Sequence, residues 1–579
     1  MPLEKSVCTI AAIAVSVTAT AAARGDCPAK PLPPAGTPSQ DVGQLVASWD
    51  KRDSPGCVVG VIHNGKLVYE RAFGMANLDH DIPISTKSVF PIASLAKQFT
   101  AACVLLLAQE GALSLDDDIR RFLPEMPEYG QRITIRHLLH HTSGIRDYSN
   151  ELLHLTGIWW DDGLSDDDLV ELLARQKGLN FMPGDEHRYS NSGYRLLAVI
   201  VKRVTGKSLR AYADEHVFRP LGMEHTHFHD DAGRIVKNRV AGYALTGDGK
   251  LEARTNKTEF VGDSGVMTTV GDFLLWDQNL YRDKLGKPGF LDQLLAPGML
   301  NDGKTVPYAL GLNLGEYRGL KTVWHAGSAY SGFRSMYLRF PERQFSVVVF
   351  ANSTGPKGFN AYRLAYQVAD LYLADSLRPV PPPTPPSAEP TVQLTKQDLE
   401  GKQGTFLDPD GAPWVLTAKD GSLLVTVGVF SPPTYRTEAL SPMRFRSADK
   451  SFPFEIEFQG GGADSPLAVR VQPQGGKPFP LKRVQLASPT PEELKQFAGS
   501  FFSDELQTTY RIEHADGQLV LRSRNAPDSP LKPTVRDTFK ARRPGGNLTL
   551  SFVRGPDDRV TGFDLAQAGG VKNMCFIKR

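Results

Sequence analysis

Between Leu377 and Pro390 the sequence runs Leu-Arg-Pro-Val-Pro-Pro-Pro-Thr-Pro-Pro-Ser-Ala-Glu-Pro. Proline fixes φ and has no N–H to donate, so this stretch sustains neither a helix nor a central strand and is expected to form an extended, semi-rigid spacer. It divides the 579 residues into two separate folding problems. A chain of this length needs several domains in any case.

Upstream of the spacer, from about residue 41 to residue 375, strand-like and helix-like segments mix. Cys57 to His63 and Lys66 to Phe73 flank Asn64-Gly65, a two-residue hairpin signal. Leu95 to Glu110 reads as an apolar helix ended near Gly111. Arg334 to Phe340 and Gln344 to Phe350 read as strands, and a helix is expected from about Phe359 to Tyr372. Strands at both ends with helices between them predict an α+β domain built on an antiparallel sheet.

Downstream, short alternating segments are separated by Gly, Pro, Asp and Asn. Asp398-Leu399 leads to Gly404-Thr405-Phe406 and Asp420-Gly421-Ser422-Leu423, and Glu493-Leu494 leads likewise to Gly499-Ser500-Phe501 and Asp516-Gly517-Gln518-Leu519. A repeat of roughly 95 residues predicts two related small antiparallel barrels, over 393–487 and 488–579, after a linker at 376–392.

Charge excludes some functions. With 66 basic residues against 64 acidic ones, no surplus is available to hold a polyanion, so nucleic acid is not expected as a partner. At the start, Lys5 precedes a weakly apolar stretch from Val7 to Ala23 ending in Ala19-Thr20-Ala21-Ala22-Ala23, which reads as a cleavable signal peptide over 1–23. A periplasmic or secreted protein with no stable membrane span after cleavage is the expectation. Cys27, Cys57, Cys103 and Cys575 would remain; their separation gives no metal-ligand spacing, and the apolar surroundings of Cys57 and Cys103 suit core residues.

Three short patterns carry chemistry. Ser94-Leu95-Ala96-Lys97 opens the apolar helix, and a spacing of three puts both side chains on one face. A serine is a weak nucleophile without a base, and lysine serves as that base only where desolvation or nearby positive potential lowers its pKa. The same spacing recurs at Ser48 to Lys51 and Ser447 to Lys450, but there it lies beside Asp in polar surroundings where lysine keeps its charge.

Tyrosine with asparagine two residues on also occurs twice. Tyr189-Ser190-Asn191 follows Pro183-Gly184 and precedes an apolar segment from Tyr194 to Val204. That context holds a phenol rigidly, as proton transfer requires. Tyr148-Ser149-Asn150 lies in an irregular polar segment and reads as a surface loop or part of a cleft rim. Finally, His325-Ala326-Gly327-Ser328 stands just before the strands that begin near Arg334. Small residues there would let a strand edge approach a bound acyl group, with the Ser328 amide completing an oxyanion hole with that of Ser94.

Taken in order, these three patterns resemble the motifs of the serine β-lactamase, penicillin-binding-protein and D-aminopeptidase superfamily. Similar stretches are Leu138-Leu139-His140-His141-Thr142-Ser143-Gly144-Ile145, Pro183-Gly184, Pro220-Leu221-Gly222-Met223 and Gly265-Val266-Met267-Thr268-Thr269. The resemblance implies a β-lactamase/transpeptidase-like domain with Ser94 as acylated nucleophile, Lys97 as its base, Tyr189 as proton shuttle, Asn191 as ligand of a substrate amide and His325 as a wall of the pocket. Many β-lactamases and transpeptidases carry lysine where this chain has His325. The histidine and the two β-domains after the catalytic one resemble the D-aminopeptidase branch, and histidine also occurs there among esterase-like relatives.

The expectation is therefore a serine hydrolase that works through a Ser94 acyl-enzyme on a small peptide, amide or ester, without a metal or other cofactor, in a layout that admits a homodimer. A D-aminopeptidase-type activity is favoured. The alternatives are an esterase, a β-lactamase or D,D-carboxypeptidase, and a non-catalytic ligand-binding protein. His137, His140 and His141 cluster without supporting carboxylates or cysteines, so capping and packing suit them better than zinc. The acidic runs Asp116 to Asp118 and Asp166 to Asp168, just after Ser114 and Ser165, read as helix-capping segments.

Overall fold

The computed structural model describes residues 37–158, 162–246, 248–254, 259, 261–354, 359–379, 391–460, 467–543, 545–568 and 570–579. The leader-like segment, Cys27 and most of the proline-rich spacer lie outside them. The described residues form two compact units, one holding 37–149 and 162–379 and the other 150–158 and 391–579.

The first unit is built on a six-stranded antiparallel sheet. Its strands are β1 (Cys57–His63), β2 (Lys66–Phe73), β3 (Asn313–Tyr317), β4 (Leu320–Ser328), β5 (Arg334–Phe340) and β6 (Phe345–Ala351), in the order β3-β4-β5-β6-β1-β2. Asn64 and Gly65 both take positive φ, 51° and 70°, as the hairpin signal requires, and His63 pairs with Lys66 across the turn. Two adjacent interior strands, β1 and β6, read Cys-Val-Val-Gly-Val-Ile-His and Phe-Ser-Val-Val-Val-Phe-Ala and are buried almost throughout. A continuous apolar run is what a strand needs when both its faces are covered.

One face packs on α1 (Thr37–Val46) and α5 (Ala361–Tyr372), where Val42, Val46, Leu364 and Val368 meet Val59, Val61, Leu338, Val347 and Val349. The helices on the functional side are α2 (Lys97–Glu110), α3 (Asn191–Thr205) and α4 (Val270–Arg282). There Phe99 packs on Trp276 with ring centres 4.7 Å apart, and Phe273 lies between Tyr337 and Phe350 at 5.0 and 5.5 Å. Glycine in the left-handed conformation caps α2 at Gly111 and α3 at Gly206. Capping also explains the acidic runs: Ser165 and Asp168 form a capping box, and Asp118 caps the short turn at Ile119–Arg121.

In the second unit each half of the repeat closes into an eight-stranded barrel, from Gly404–Leu407 to Phe479–Val484 and from Gly499–Ser503 to Met574–Lys578. The likeness extends to the backbone. Thr395 with Asp398, and Thr490 with Glu493, form capping boxes on equivalent short helices, and Asp420-Gly421 and Asp516-Gly517 turn with positive φ at all four residues. In the same unit the segment 150–158 is held by Tyr510, whose hydroxyl donates to the Leu155 carbonyl at 2.9 Å, and by Asn525, whose amide donates to the Gly157 carbonyl at 3.1 Å. Among the described residues Cys57 and Cys103 are buried free thiols, and no helix is long and apolar enough to cross a membrane.

Candidate active site

Ser94 stands in a short 3-10 turn, Ala93–Ala96, that feeds directly into α2. In a 3-10 turn residues three apart eclipse, so the Ser-x-x-Lys spacing stacks the two side chains more directly than an α-helix would. Ala93, just before the serine, has φ 48°, a conformation that a residue with a Cβ adopts only when its surroundings hold it. Those surroundings are visible. The Ile92 amide donates to the Val266 carbonyl at 3.0 Å, Ser335 Oγ donates to the Ile92 carbonyl at 2.7 Å, and Gln98 Nε2 donates to the Leu95 carbonyl at 2.9 Å while its Oε1 accepts from Trp276.

The Lys97 amine is fully buried, 3.2 Å from Ser94 Oγ, 2.9 Å from Asn191 Oδ1 and 2.8 Å from the Asp263 carbonyl oxygen. It also sits 4.8 Å from the ring centre of Tyr189 and 5.6 Å from that of Tyr194. Burial pulls its pKa down from 10.5 to about 8; the Asp263 and Asp147 carboxylates oppose the change and the Arg195 guanidinium adds to it. Once neutral, the amine has two N–H bonds for the two fixed acceptors and a lone pair for the Ser94 hydroxyl. In the other Ser-x-x-Lys copies, Lys51 and Lys450 are exposed.

Tyr189 and Asn191 flank the start of α3. Asn191 is its first residue, and the cap position, Ser190, makes no side-chain bond to the helix. Asp147 does so instead: its carboxylate accepts from the Asn191 amide, while Ser149 Oγ accepts from Asn191 Nδ2 at 3.3 Å. The Tyr148-Ser149-Asn150 segment is thus not a surface loop at its start. Tyr148 is completely buried and Ser149 nearly so, because each polar group in this stretch finds a partner inside. The Tyr189 phenol hydrogen-bonds Ser94, and although the residue is 38% exposed, the protein packed around the phenol raises its pKa above the ordinary value, so it is a neutral phenol at physiological pH.

The His325 motif forms the end of β4 rather than preceding the strands. Gly327 is placed where a Cβ would come within 2.3 Å of the Ile92 carbonyl oxygen and 2.2 Å of Ser335 Oγ, so only glycine lets β4 lie this close to the Ser94 turn. Ser328 follows at the exposed edge. His325 is buried; its Nδ1 meets the Ala326 carbonyl at 2.7 Å and its Nε2 the Tyr308 hydroxyl at 3.1 Å. With Nδ1–H donating, Nε2 accepts from Tyr308, a neutral tautomer set by the bonding pattern. Burial and the nearby Lys97 hold the imidazole down to about 3. The groups open to solvent are Ser94, partly, together with Tyr189 and Ser328, which defines the side from which a carbonyl would arrive.

Ser94, Lys97, Tyr189, Asn191 and His325 therefore come together, with Gly327 seated against the Ser94 turn and Ser328 next along the strand. Sequence reasoning missed Asp147, Asp263, Arg195 and Tyr308. The first two stand directly before the duplicated Tyr-Ser-Asn pattern and before Ser264-Gly265-Val266, which was a usable signal; Tyr308 carried none. Of the clustered histidines, His137 completes a capping box with Thr134 and His140 Nδ1 lies 3.1 Å from the Tyr308 carbonyl oxygen.

Comparison with known proteins gives the family. The Beta-lactamase family model matches residues 41–371, more than half of the chain, and the chain belongs to that family. It is a serine hydrolase of the β-lactamase fold. A penicillin-binding protein of Bacillus subtilis (strain 168) is 28% identical over 69% of this chain and 88% of its own length. A D-aminopeptidase of Brucella anthropi is 31% identical over 54% of this chain and 58% of its own length. Among solved structures, the octameric penicillin-binding protein homologue from Pyrococcus abyssi superposes with a TM-score of 0.53 at 22% identity, covering 76% of this chain and 99% of that one, a likeness of fold.

Proposed function

We propose that Ser94 is the nucleophile of an acyl-enzyme mechanism on small amides or esters, with D-amino-acid peptides or amides as the favoured substrates. The observation that carries this reading is the buried Lys97 amine against Ser94 Oγ, with two fixed acceptors for its remaining hydrogens. Lys97 takes the Ser94 proton as Oγ adds to the substrate carbonyl carbon. The oxyanion that forms is stabilised by the Ser94 and Ser328 amides, each such donor being worth about 10²–10³ in rate. Tyr189 passes the proton from Lys97 to the leaving nitrogen or oxygen as that bond breaks, and water then releases the acyl group by the reverse relay. Asn191 has its Oδ1 committed to Lys97 and one Nδ2 hydrogen given to Ser149, and offers its second Nδ2 hydrogen toward a substrate carbonyl.

The preference for a substrate without a carboxylate rests on His325. A neutral imidazole replaces the cation that a β-lactam or D-Ala-D-Ala carboxylate would face. The 31% identity to a D-aminopeptidase supports the same choice. A penicillin-acylating activity is the second reading, favoured by the alignment that covers 88% of a penicillin-binding protein.

Hydrolysis of D-alanine p-nitroanilide, p-nitrophenyl acetate and a chromogenic cephalosporin ranks these readings. Fastest turnover of the anilide relative to the uncatalysed rate is the expected result. Turnover of the cephalosporin alone would overturn the substrate assignment.

A further inference from the structure

Beneath Lys97 lies a second layer of polar groups that no step above uses. Asp263, whose carbonyl accepts from the Lys97 amine, turns its own carboxylate inward to Arg195, with 2.8 Å between them and both side chains buried. The Tyr148 hydroxyl joins the pair, accepting from Arg195 Nε at 3.0 Å and donating to Asp263 Oδ2 at 3.0 Å. Ser264 Oγ adds a bond to Asp263 Oδ1 at 3.0 Å. Arg195 is one helical turn beyond Asn191 on α3, so one face of this helix supplies both the Oδ1 that holds Lys97 and the guanidinium that holds Asp263.

A buried ion pair is a costly way to fix a loop, because desolvating two charges offsets most of their attraction. Its position beside a titrating amine gives it a second effect. The carboxylate alone would stabilise an ammonium at Lys97, and the guanidinium alone would oppose one. Together they partly offset each other at the amine, the carboxylate having the larger effect, while the carbonyl of the same Asp263 stays pointed at it.

We propose that Arg195, Asp263 and Tyr148 form a charge-balancing platform, made of positioning residues, that aims the Asp263 carbonyl at Lys97 and sets the electrostatic field in which that amine acts. The proposal rests on Lys97 serving as the base for Ser94. The other groups that face the amine are Asp147 from the loop before Tyr148, Tyr189 and Tyr194 at the start of α3, His141, and His325 from β4. These are common to all the variants below.

The test uses the full-length protein and two readouts: the pH dependence of Ser94 labelling by a fluorophosphonate, and direct titration of the Lys97 amine by NMR of isotope-labelled lysine, assigned with Lys97→Met. Arg195→Met leaves the carboxylate unopposed and is expected to raise the Lys97 midpoint by up to about one pH unit, whereas Asp263→Asn leaves the guanidinium unopposed and is expected to lower it by more, the carboxylate being the stronger influence. The double variant removes both charges and should bring the midpoint between those of the two single variants, below the wild-type value; Arg195→Lys, which keeps the charge, should move it little. Tyr148→Phe removes the bridging hydroxyl and should slow labelling with a smaller displacement. If Arg195→Met fails to fold, the lowered midpoint of Asp263→Asn and its partial recovery in the double variant still decide.

Shifts of the same sign in the two single variants, or no shift in either, would overturn the platform and leave these residues a structural role only. An unreactive Ser94 combined with opposed midpoints would instead overturn the nucleophile assignment while sustaining the platform.

Discussion

Gly327 and Ile92 stand in backbone contact so close that a methyl group on the glycine would lie 2.3 Å from the Ile92 carbonyl oxygen. The end of β4 is thereby seated on the turn that carries Ser94, the approach on which the proposed Ser94 and Ser328 oxyanion site depends. Gly327→Ala has to push the strand and the turn apart, because the obstructing atoms include backbone. A displacement near 1 Å is enough to lower a rate about 10²-fold, and overpacking at such a site costs ~1–3 kcal/mol. Labelling of Ser94 by a fluorophosphonate is expected to slow at least that far while the protein still melts cooperatively. An unchanged labelling rate would show that the strand does not shape the oxyanion site.

Tyr189→Phe keeps the ring beside the Lys97 amine, 4.8 Å from its centre, and removes only the hydroxyl. A nitroanilide leaves only with a proton, whereas a nitrophenolate leaves without one. Loss of a proton shuttle is therefore expected to cost the anilide reaction about 10²–10⁴ and the nitrophenyl ester much less. Equal losses on both substrates would assign Tyr189 to orientation rather than proton transfer.

Burying Lys97 destabilises the fold wherever the unfolded chain would carry the charge. With the folded amine pulled down to about 8 from 10.5, the unfolded state binds more protons between these values, so stability rises with pH across that window. Below the folded value the full penalty applies. Replacing Lys97 by Met removes it, so the stability difference between the two proteins is expected to shift in favour of the wild type by about 3 kcal/mol as pH rises from 7 to 10.5. Denaturant unfolding at several pH values checks this; a difference that does not move with pH would mean that the amine is not desolvated.

What could be read from the sequence follows from how local each signal was. The Asn64-Gly65 turn, the glycine that ends α2 and the cap at Ser165 are set by two to four adjacent residues and are found where expected, while the capping boxes of Thr395 and Thr490 are equally local but were not read. Ser94 and Lys97 lie within one turn, and Tyr189 and Asn191 within three residues, so their grouping needed only the order of motifs. Asp147, Asp263 and Arg195 act on Lys97 across the fold: the Asn191 amide reaches Asp147 over a separation of 44 residues, and Tyr148 reaches Asp263 over 115. No periodicity records such a pairing. The segment around Tyr148 misled because a run of polar residues normally signals solvent, whereas here those groups satisfy one another in the interior. The strand that carries His325, Leu320–Ser328, is not among those legible in the sequence, because Ala326, Gly327 and Ser328 have weak strand preference, and the close seat on the Ser94 turn overrides it.

A histidine-dependent step would show an acid limb between pH 5 and 7. None is expected here, since burial holds His325 near 3, His140 and His187 near 4, and His141 well below its ordinary value. The pH dependence of Ser94 labelling by a fluorophosphonate, followed by intact mass, is therefore the most direct measurement. The expected result is a single rise centred near pH 8, the value to which the buried Lys97 is pulled, and its disappearance in Lys97→Met. A rise centred between pH 5 and 7, or one that survives in Lys97→Met, would contradict a lysine base at this serine.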